Sequence, residues 1–212
     1  MKRFKLFILA IICCVQLHAQ EQKMRGAWSI NAIMSHYEPQ KANDSYSQKI
    51  GYNVNPGIEV LYGFPMDSFI FLSTGISCQY LSIESHREGA DKFVLGELSI
   101  PLLFTAIERS GHFSFTTGFY SGQFVHFSWY HDQYHQWELV NLKDEKRYSD
   151  KSFFMDGYLD FGYSNSSWFT NDHVIKIVPF MRYRFSENWM EYYRTSVYYG
   201  IKFSLTFKTK ER

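Results

Sequence analysis

Beyond its first residues, the chain lacks any hydrophobic run long enough to cross a membrane as a helix. Such a span needs about 20 apolar residues, and the mean hydropathy of the chain is only −0.30. Cysteine is also scarce, with three in 212 residues. Cys13 and Cys14 lie in the N-terminal segment, which leaves Cys78 alone in the rest of the chain, and one thiol forms no internal disulfide. The sequence therefore excludes helical membrane spans and a disulfide-stabilised fold.

The chain also has no large excess of positive or negative charge. The chain has 22 basic and 21 acidic side chains. Without Lys2, Arg3 and Lys5 the balance is 19 basic to 21 acidic side chains. Nucleic-acid-binding domains usually carry a basic patch and a high isoelectric point, so we expect no nucleic-acid partner. The remaining length, about 190 residues, suits one domain.

The first 20 residues have the pattern of a secretory signal peptide. Three basic side chains are followed by an apolar run from Leu6 to Val15 and then by a polar boundary at Ala19-Gln20. A retained membrane anchor is the alternative, but the apolar run is too short for it. We predict a signal peptide over residues 1–20, cleaved after Ala19 or Gln20, and one mature domain over residues 21–212.

Aromatic side chains, in contrast, are abundant: 20 Phe, 16 Tyr and 5 Trp. Aromatic residues favour β-strands. The last segment alternates with a period of two, which is typical of a strand between two different environments. One face consists of Val197, Tyr199, Ile201, Phe203, Leu205 and Phe207, and the other of Tyr198, Gly200, Lys202, Ser204 and Thr206.

The same alternation occurs in seven upstream segments, residues 26–37, 50–64, 69–84, 92–106, 113–127, 153–164 and 174–185. Their length suits tilted membrane strands and exceeds the five or six residues, roughly, of a strand in a globular sheet. The connections are short at Pro65–Ser68 and Glu108–Gly111 but long at Glu38–Lys49 and from Ser128 to Ser152, as in outer-membrane barrels. The connection from Asn165 to His173 is longer than expected for the end of the barrel that carries the short turns.

The faces opposite the apolar ones are rich in Gly, Ser, Asn and Tyr. A soluble sandwich or lipocalin-like barrel, the alternative, would direct its apolar face inward and carry more Lys and Glu toward water. The charges on these faces have both signs, and Glu97 is expected to pair with Arg182 or Lys202. The set is Glu59, Glu97, Asp156, Asp160, Lys176, Arg182 and Lys202. A sheet that faces lipid must close. We therefore predict an all-β fold: a closed, antiparallel, up-and-down transmembrane β-barrel of about eight strands in the cell outer membrane.

Four short motifs are similar to those of the PorT-like outer-membrane β-barrel family, a group of small porin-like barrel domains. They are Glu97–Leu102 (ELSIPL), Thr117–Gly122 (TGFYSG), Asp160–Gly162 (DFG) and Tyr199–Phe203 (YGIKF). The resemblance spans nearly the whole mature chain and implies the same barrel. Some members take part in protein secretion across the outer membrane, so it also implies an accessory role in secretion or transport as one alternative.

Histidines His126, His131 and His135 lie in or beside the longest connection, with Trp129 and Trp137 among them. Metal binding would need these side chains to converge, and an interfacial cluster of loop residues is the simpler interpretation. Elsewhere we find no nucleotide-binding loop, metal-ligand spacing or redox cysteine pair. We therefore expect no metal, no cofactor and no catalytic residue.

His126-Phe127-Ser128 is the one segment that suggests an enzyme. It resembles the His-x-Ser pair of outer-membrane lipid A deacylases, because residues two apart on a strand point the same way. Asp132 or Glu138 could orient the histidine as in a catalytic triad. However, those enzymes continue with Asn-Ala, whereas Trp129-Tyr130 follow here.

These observations predict a non-enzymatic integral outer-membrane protein with a structural or interaction role and long outward-facing loops. The interior of an eight-stranded barrel is just wide enough for side chains, so a general diffusion pore is not expected. The alternatives are a lipid-modifying hydrolase that uses His126 and Ser128, and an accessory subunit of a secretion or transport system. The expected partners are outer-membrane lipid and lipopolysaccharide, the barrel-insertion machinery and other envelope proteins.

Overall fold

A computed structural model describes residues 26–41, 54–84, 92–131, 136–139, 153–168, 170–185 and 193–209. Within these ranges nine strands form one antiparallel sheet. The strands are β1 (Ala27–Lys41), β2 (Asn55–Asp67), β3 (Ile70–Glu84), β4 (Lys92–Ile107), β5 (Phe113–His131), β6 (Gln136–Leu139), β7 (Phe153–Ser164), β8 (His173–Arg184) and β9 (Tyr193–Lys208). No helix in these parts of the chain is long and apolar enough to cross a membrane.

The sheet closes on itself. Each long strand pairs with its neighbours in sequence, and among the described strands the four-residue β6 pairs only with the end of β5. The first and last strands complete the ring, with Ala27 opposite Lys208 and Ser35 opposite Gly200. The fold is therefore a closed, antiparallel, eight-stranded β-barrel, as the alternation predicted.

Burial follows the predicted faces. Along β8, exposed and buried side chains alternate from His173 to Phe180, so that Val174 is 0% and Ile175 66% exposed. Apolar side chains such as Trp28, Phe161 and Phe203 cover the outer surface, whereas most of the buried charged and polar side chains face the lumen. A soluble protein does not leave so large an apolar surface in water. This inside-out distribution is that of a barrel that spans a membrane.

Several strand boundaries differ from the prediction; β1, for example, continues to Lys41, inside the connection predicted from Glu38 to Lys49. β2 continues to Asp67, so that only Ser68 and Phe69 form the turn to β3. β5 continues to His131, and β6 pairs with it inside the segment predicted as a loop. Aromatic residues in that segment favour strands as much as interfaces, which explains the difference. The predicted signal peptide and the beginning of the predicted strand 50–64 lie outside the described residues.

The turn between β7 and β8 lies across the short-turn end of the barrel. Ser167 Oγ donates to the carbonyl oxygen of Ser110 at 2.6 Å, and Trp168 N donates to that of Gly111 at 2.9 Å. The ring of Trp168 packs against Phe71, with the centroids 5.2 Å apart. These contacts hold the turn at the mouth of the barrel.

Candidate functional site

Four charged side chains meet in the half of the lumen nearer the long connections. Arg182 Nε lies 2.6 Å from Asp156 Oδ2, and its Nη2 lies 3.4 Å from Glu97 Oε2. Arg184 Nε lies 2.8 Å from Asp156 Oδ1, and its Nη2 lies 2.6 Å from Glu97 Oε1. Both arginines point inward because alternate residues of a strand share a face. We call these four residues the charged quartet; all are buried.

Aromatic rings surround the charged quartet. The Arg184 guanidinium lies 4.0 Å from the ring centroid of Phe154, and that of Arg182 lies 4.5 Å from the ring of Tyr120. Such cation–π contacts stabilise a cation that has been removed from water. Tyr198 donates its hydroxyl to Glu97 Oε1 at 3.0 Å. Two positive and two negative groups thus balance, which a buried ionic cluster requires.

A second ion pair lies nearer the middle of the lumen. Lys202 Nζ donates to Glu59 Oε1 at 2.9 Å and lies 2.9 Å from the hydroxyl of Tyr120. Tyr120 in turn donates to Glu59 Oε2 at 2.5 Å. A buried, mainly apolar cluster crosses the lumen at this level and consists of Ile33, Leu61, Leu103, Tyr120, Tyr158 and Phe180. Side chains therefore fill the lumen at two levels.

The predicted lumen charges are partly paired as expected. Glu97 does pair with Arg182, but the alternative of Glu97 with Lys202 is wrong, because Lys202 bonds to Glu59 instead. The set of lumen charges expected from the sequence does not include Arg184. Its position two residues after Arg182 on the same predicted face was the available signal.

His126 and Ser128 lie together on the outer surface. His126 Nε2 is 3.3 Å from Ser128 Oγ. The register shifts next to Val125, so that His126 lies opposite Gly96 in the same row as Tyr80. The ring centroids of Tyr80 and His126 are 6.5 Å apart, and Tyr80 faces outward. The pair thus has the proximity that nucleophilic catalysis would require, on the side that meets lipid.

Several of the predicted candidates cannot be placed. Asp132 and His135 lie outside the described residues, as do the side chains of His131 and Glu138 and of the neighbouring tryptophans. In the described part of the chain, no group of three or more His, Cys, Asp and Glu side chains could hold a metal ion. Cys78 is a free thiol on the outer surface.

A closed sheet, an apolar exterior and a charged, filled interior define a small β-barrel of the outer-membrane class. Comparison with protein-family models and with curated protein sequences finds no match. Solved outer-membrane proteins have similar structures. The Yersinia pestis attachment invasion locus protein Ail, in complex with the heparin analogue sucrose octasulfate, is 9% identical, with 87% of this chain and 100% of that chain covered and a TM-score of 0.49.

Two further solved structures have similarly low sequence identities and TM-scores. Neisserial surface protein A is 9% identical over 87% of this chain and 97% of that one, with a TM-score of 0.47. OprG of Pseudomonas aeruginosa is 10% identical over 87% and 97%, with a TM-score of 0.45. The strand pairing and burial described above, rather than these likenesses, carry the assignment of class.

Proposed function

We propose that the protein is a non-enzymatic integral protein of the cell outer membrane, with a structural or interaction role carried by the long connections at one end of the barrel. The observation that supports it is the filled lumen: the charged quartet and the cluster around Tyr120 block it at two levels. A blocked barrel meets other molecules only through its outer surface and its ends. Outer-membrane lipid, lipopolysaccharide and other envelope proteins are the partners that this surface suits, and the barrel-insertion machinery is the partner for assembly.

Conductance tests this proposal. Purified protein in planar lipid bilayers is expected to show no stable porin-sized current, because buried side chains occupy the lumen. A heat-unfolded sample supplies the background. Reproducible large channels from the folded protein would contradict the proposal.

The resemblance to PorT-like barrels supports a narrower form, in which the barrel is an accessory subunit of a secretion or transport system. This form needs a protein partner. Mild detergent extraction followed by affinity purification would be expected to recover the barrel with another envelope protein. Recovery of the barrel alone would favour a structural role.

A lipid-modifying hydrolase is the second candidate, favoured by the 3.3 Å separation of His126 Nε2 and Ser128 Oγ. Under the leading proposal, Ser128→Ala leaves lipid A acylation in native membranes unchanged by mass spectrometry. Loss of one acyl-chain cleavage in this variant would favour the hydrolase. Ser121→Ala is the matched control. Ser121 lies on the same strand as Ser128 and two residues after the exposed Phe119, so it faces the same outer surface.

A further inference from the structure

A cavity of about 80 Å³ lies in the lumen between the cluster around Tyr120 and the turn that carries Trp168. We call it the lower chamber. Seven serine and threonine side chains contribute to its lining. A water molecule occupies roughly 30 Å³ in the liquid, so the volume suits a few waters or a solute of a few heavy atoms.

The charges that line the lower chamber balance. Lys202 is bonded to Glu59 at 2.9 Å. Lys176 and Asp160 supply one further charge of each sign to the lining. A solute with a net charge would add an uncompensated ion to this buried balance, at a large cost. The lining therefore favours molecules that are polar but carry no net charge.

Two groups in the lining have hydrogen-bonding capacity to spare. Asn31 is 4% exposed and donates its amide to Glu59 at 2.8 Å, but its Oδ1 atom has no hydrogen-bond partner among the residues that the structure describes. An ammonium group has three donors, and Lys176 Nζ has the Ser114 hydroxyl at 3.4 Å and the face of the Trp168 ring at 4.6 Å. Buried polar groups are normally satisfied. An acceptor and a donor are thus available for a bound molecule.

Trp168 lies at the short-turn end of the lower chamber. The side chain is 6% exposed, lines the chamber and belongs to a small apolar cluster with Phe71, Ile107 and Val174. At the other end, the cluster around Tyr120 and then the charged quartet separate the chamber from the long connections. The thinner barrier is the one at the short-turn end, because a single turn forms it.

We propose that the lower chamber binds water and small polar solutes without net charge, and that these enter from the short-turn end past Trp168. Such binding is independent of any role in secretion or lipid chemistry. It concerns a site inside the barrel that none of those roles uses.

Thiol labelling tests the site. Cys78→Ser removes the native thiol, and Ser73→Cys introduces one in the chamber lining. Folded protein in nanodiscs is then treated with 2-hydroxyethyl or 2-aminoethyl methanethiosulfonate, which differ mainly in charge. Each rate is divided by that of Ser110→Cys, an exposed turn position. We expect Trp168→Ala to raise the hydroxyethyl rate at least tenfold, and the aminoethyl reagent to react at least fivefold more slowly in the same variant.

Leu81→Ala tests entry from the opposite end of the barrel, because Leu81 is a buried lumen side chain near the long-connection end of β3. It is expected to leave the rate unchanged. Trp168→Phe should give an intermediate rate of labelling by the hydroxyethyl reagent. This variant replaces Trp168→Ala in the comparison if the alanine variant folds poorly. Equal hydroxyethyl rates with and without Trp168, or an equal increase from Leu81→Ala, would overturn the entrance. Equal rates for the two reagents would overturn the selectivity for uncharged solutes.

Discussion

Phe203 and Ser204 are adjacent in β9 but face opposite environments. Phe203 is on the outer surface, and Ser204 lines the lumen. A positive charge on the lipid face near the membrane midplane costs about 2–4 kcal/mol, whereas a polar side chain in the lumen can find a partner. We therefore expect Phe203→Arg to fold poorly in lipid and Ser204→Asn to fold nearly as well as the wild type.

Heat-modifiable migration on cold gels measures the folded fraction of both variants. Ser204→Asn changes polarity very little, so it controls for the crowding that an arginine would meet in the lumen. If Phe203→Arg folded normally and Ser204→Asn did not, the assignment of the two faces would be reversed.

Asp156 shows what a buried charge contributes. It accepts hydrogen bonds from both Arg182 and Arg184, so Asp156→Asn leaves two guanidinium groups with one carboxylate, that of Glu97. Removing one partner of a buried ion pair typically costs about 3–5 kcal/mol. A loss of stability of that order is expected in urea unfolding of the folded protein in lipid.

Glu108→Gln is the matched control. Glu108 lies exposed in the β4–β5 turn, where hydrogen bonds from Ser110 lower the pKa of its carboxyl group. Neutralising it should barely move the unfolding midpoint, because an exposed carboxylate loses little hydration energy on folding. An Asp156→Asn variant as stable as the Glu108→Gln variant would show that the charged quartet contributes little to stability.

At the scale of the element, the period of two predicted which side chains of each strand face the lumen. It could not predict which of them pair. Glu97 and Arg184 lie on β4 and β8, 87 positions apart, and their contact depends on how strands far apart in sequence are staggered around the ring. The side of a strand on which a residue lies depends on the local sequence alone. The side chain that it pairs with across the lumen depends on how the whole barrel closes.

β5 marks the limit of the same reasoning. Alternation places Ser114 and Tyr120 in the lumen, and by simple extension it would place His126 there as well. Val125 is the extra residue on β5: Phe124 pairs with Glu97 and His126 with Gly96, so the register shifts by one and His126 turns outward. A β-bulge of this kind adds one residue to one strand, which hydrophobic periodicity does not reveal.

The β7–β8 turn shows a second limit. Its length was visible in the sequence as an exception to the short-turn pattern. Whether Trp168 would face the membrane interface or the lumen was not visible, because tryptophan suits both environments. Hydrogen bonds to the β4–β5 turn determine its position, since they hold Trp168 at the mouth of the barrel.

At the scale of the whole molecule, the outer surface predicts where the protein resides. A continuous apolar belt around a closed barrel is stable only in lipid. The mature protein should therefore fractionate with outer membranes and remain there after carbonate extraction. Recovery in the soluble periplasmic fraction would contradict a membrane-spanning barrel.

The pairing of β1 with β9 has a consequence for the time course of assembly. Ala27 meets Lys208, so the ring cannot close until almost the entire chain has been synthesised. Pairing of ends so distant in sequence carries a large loop-closure entropy, and such topologies fold slowly. The quartet side chains lie on β4, β7 and β8, with Asp156 directly opposite Arg184, and they are all shut off from water only in the closed ring. Sealing of the barrel and burial of its charges should then be one late, concerted event.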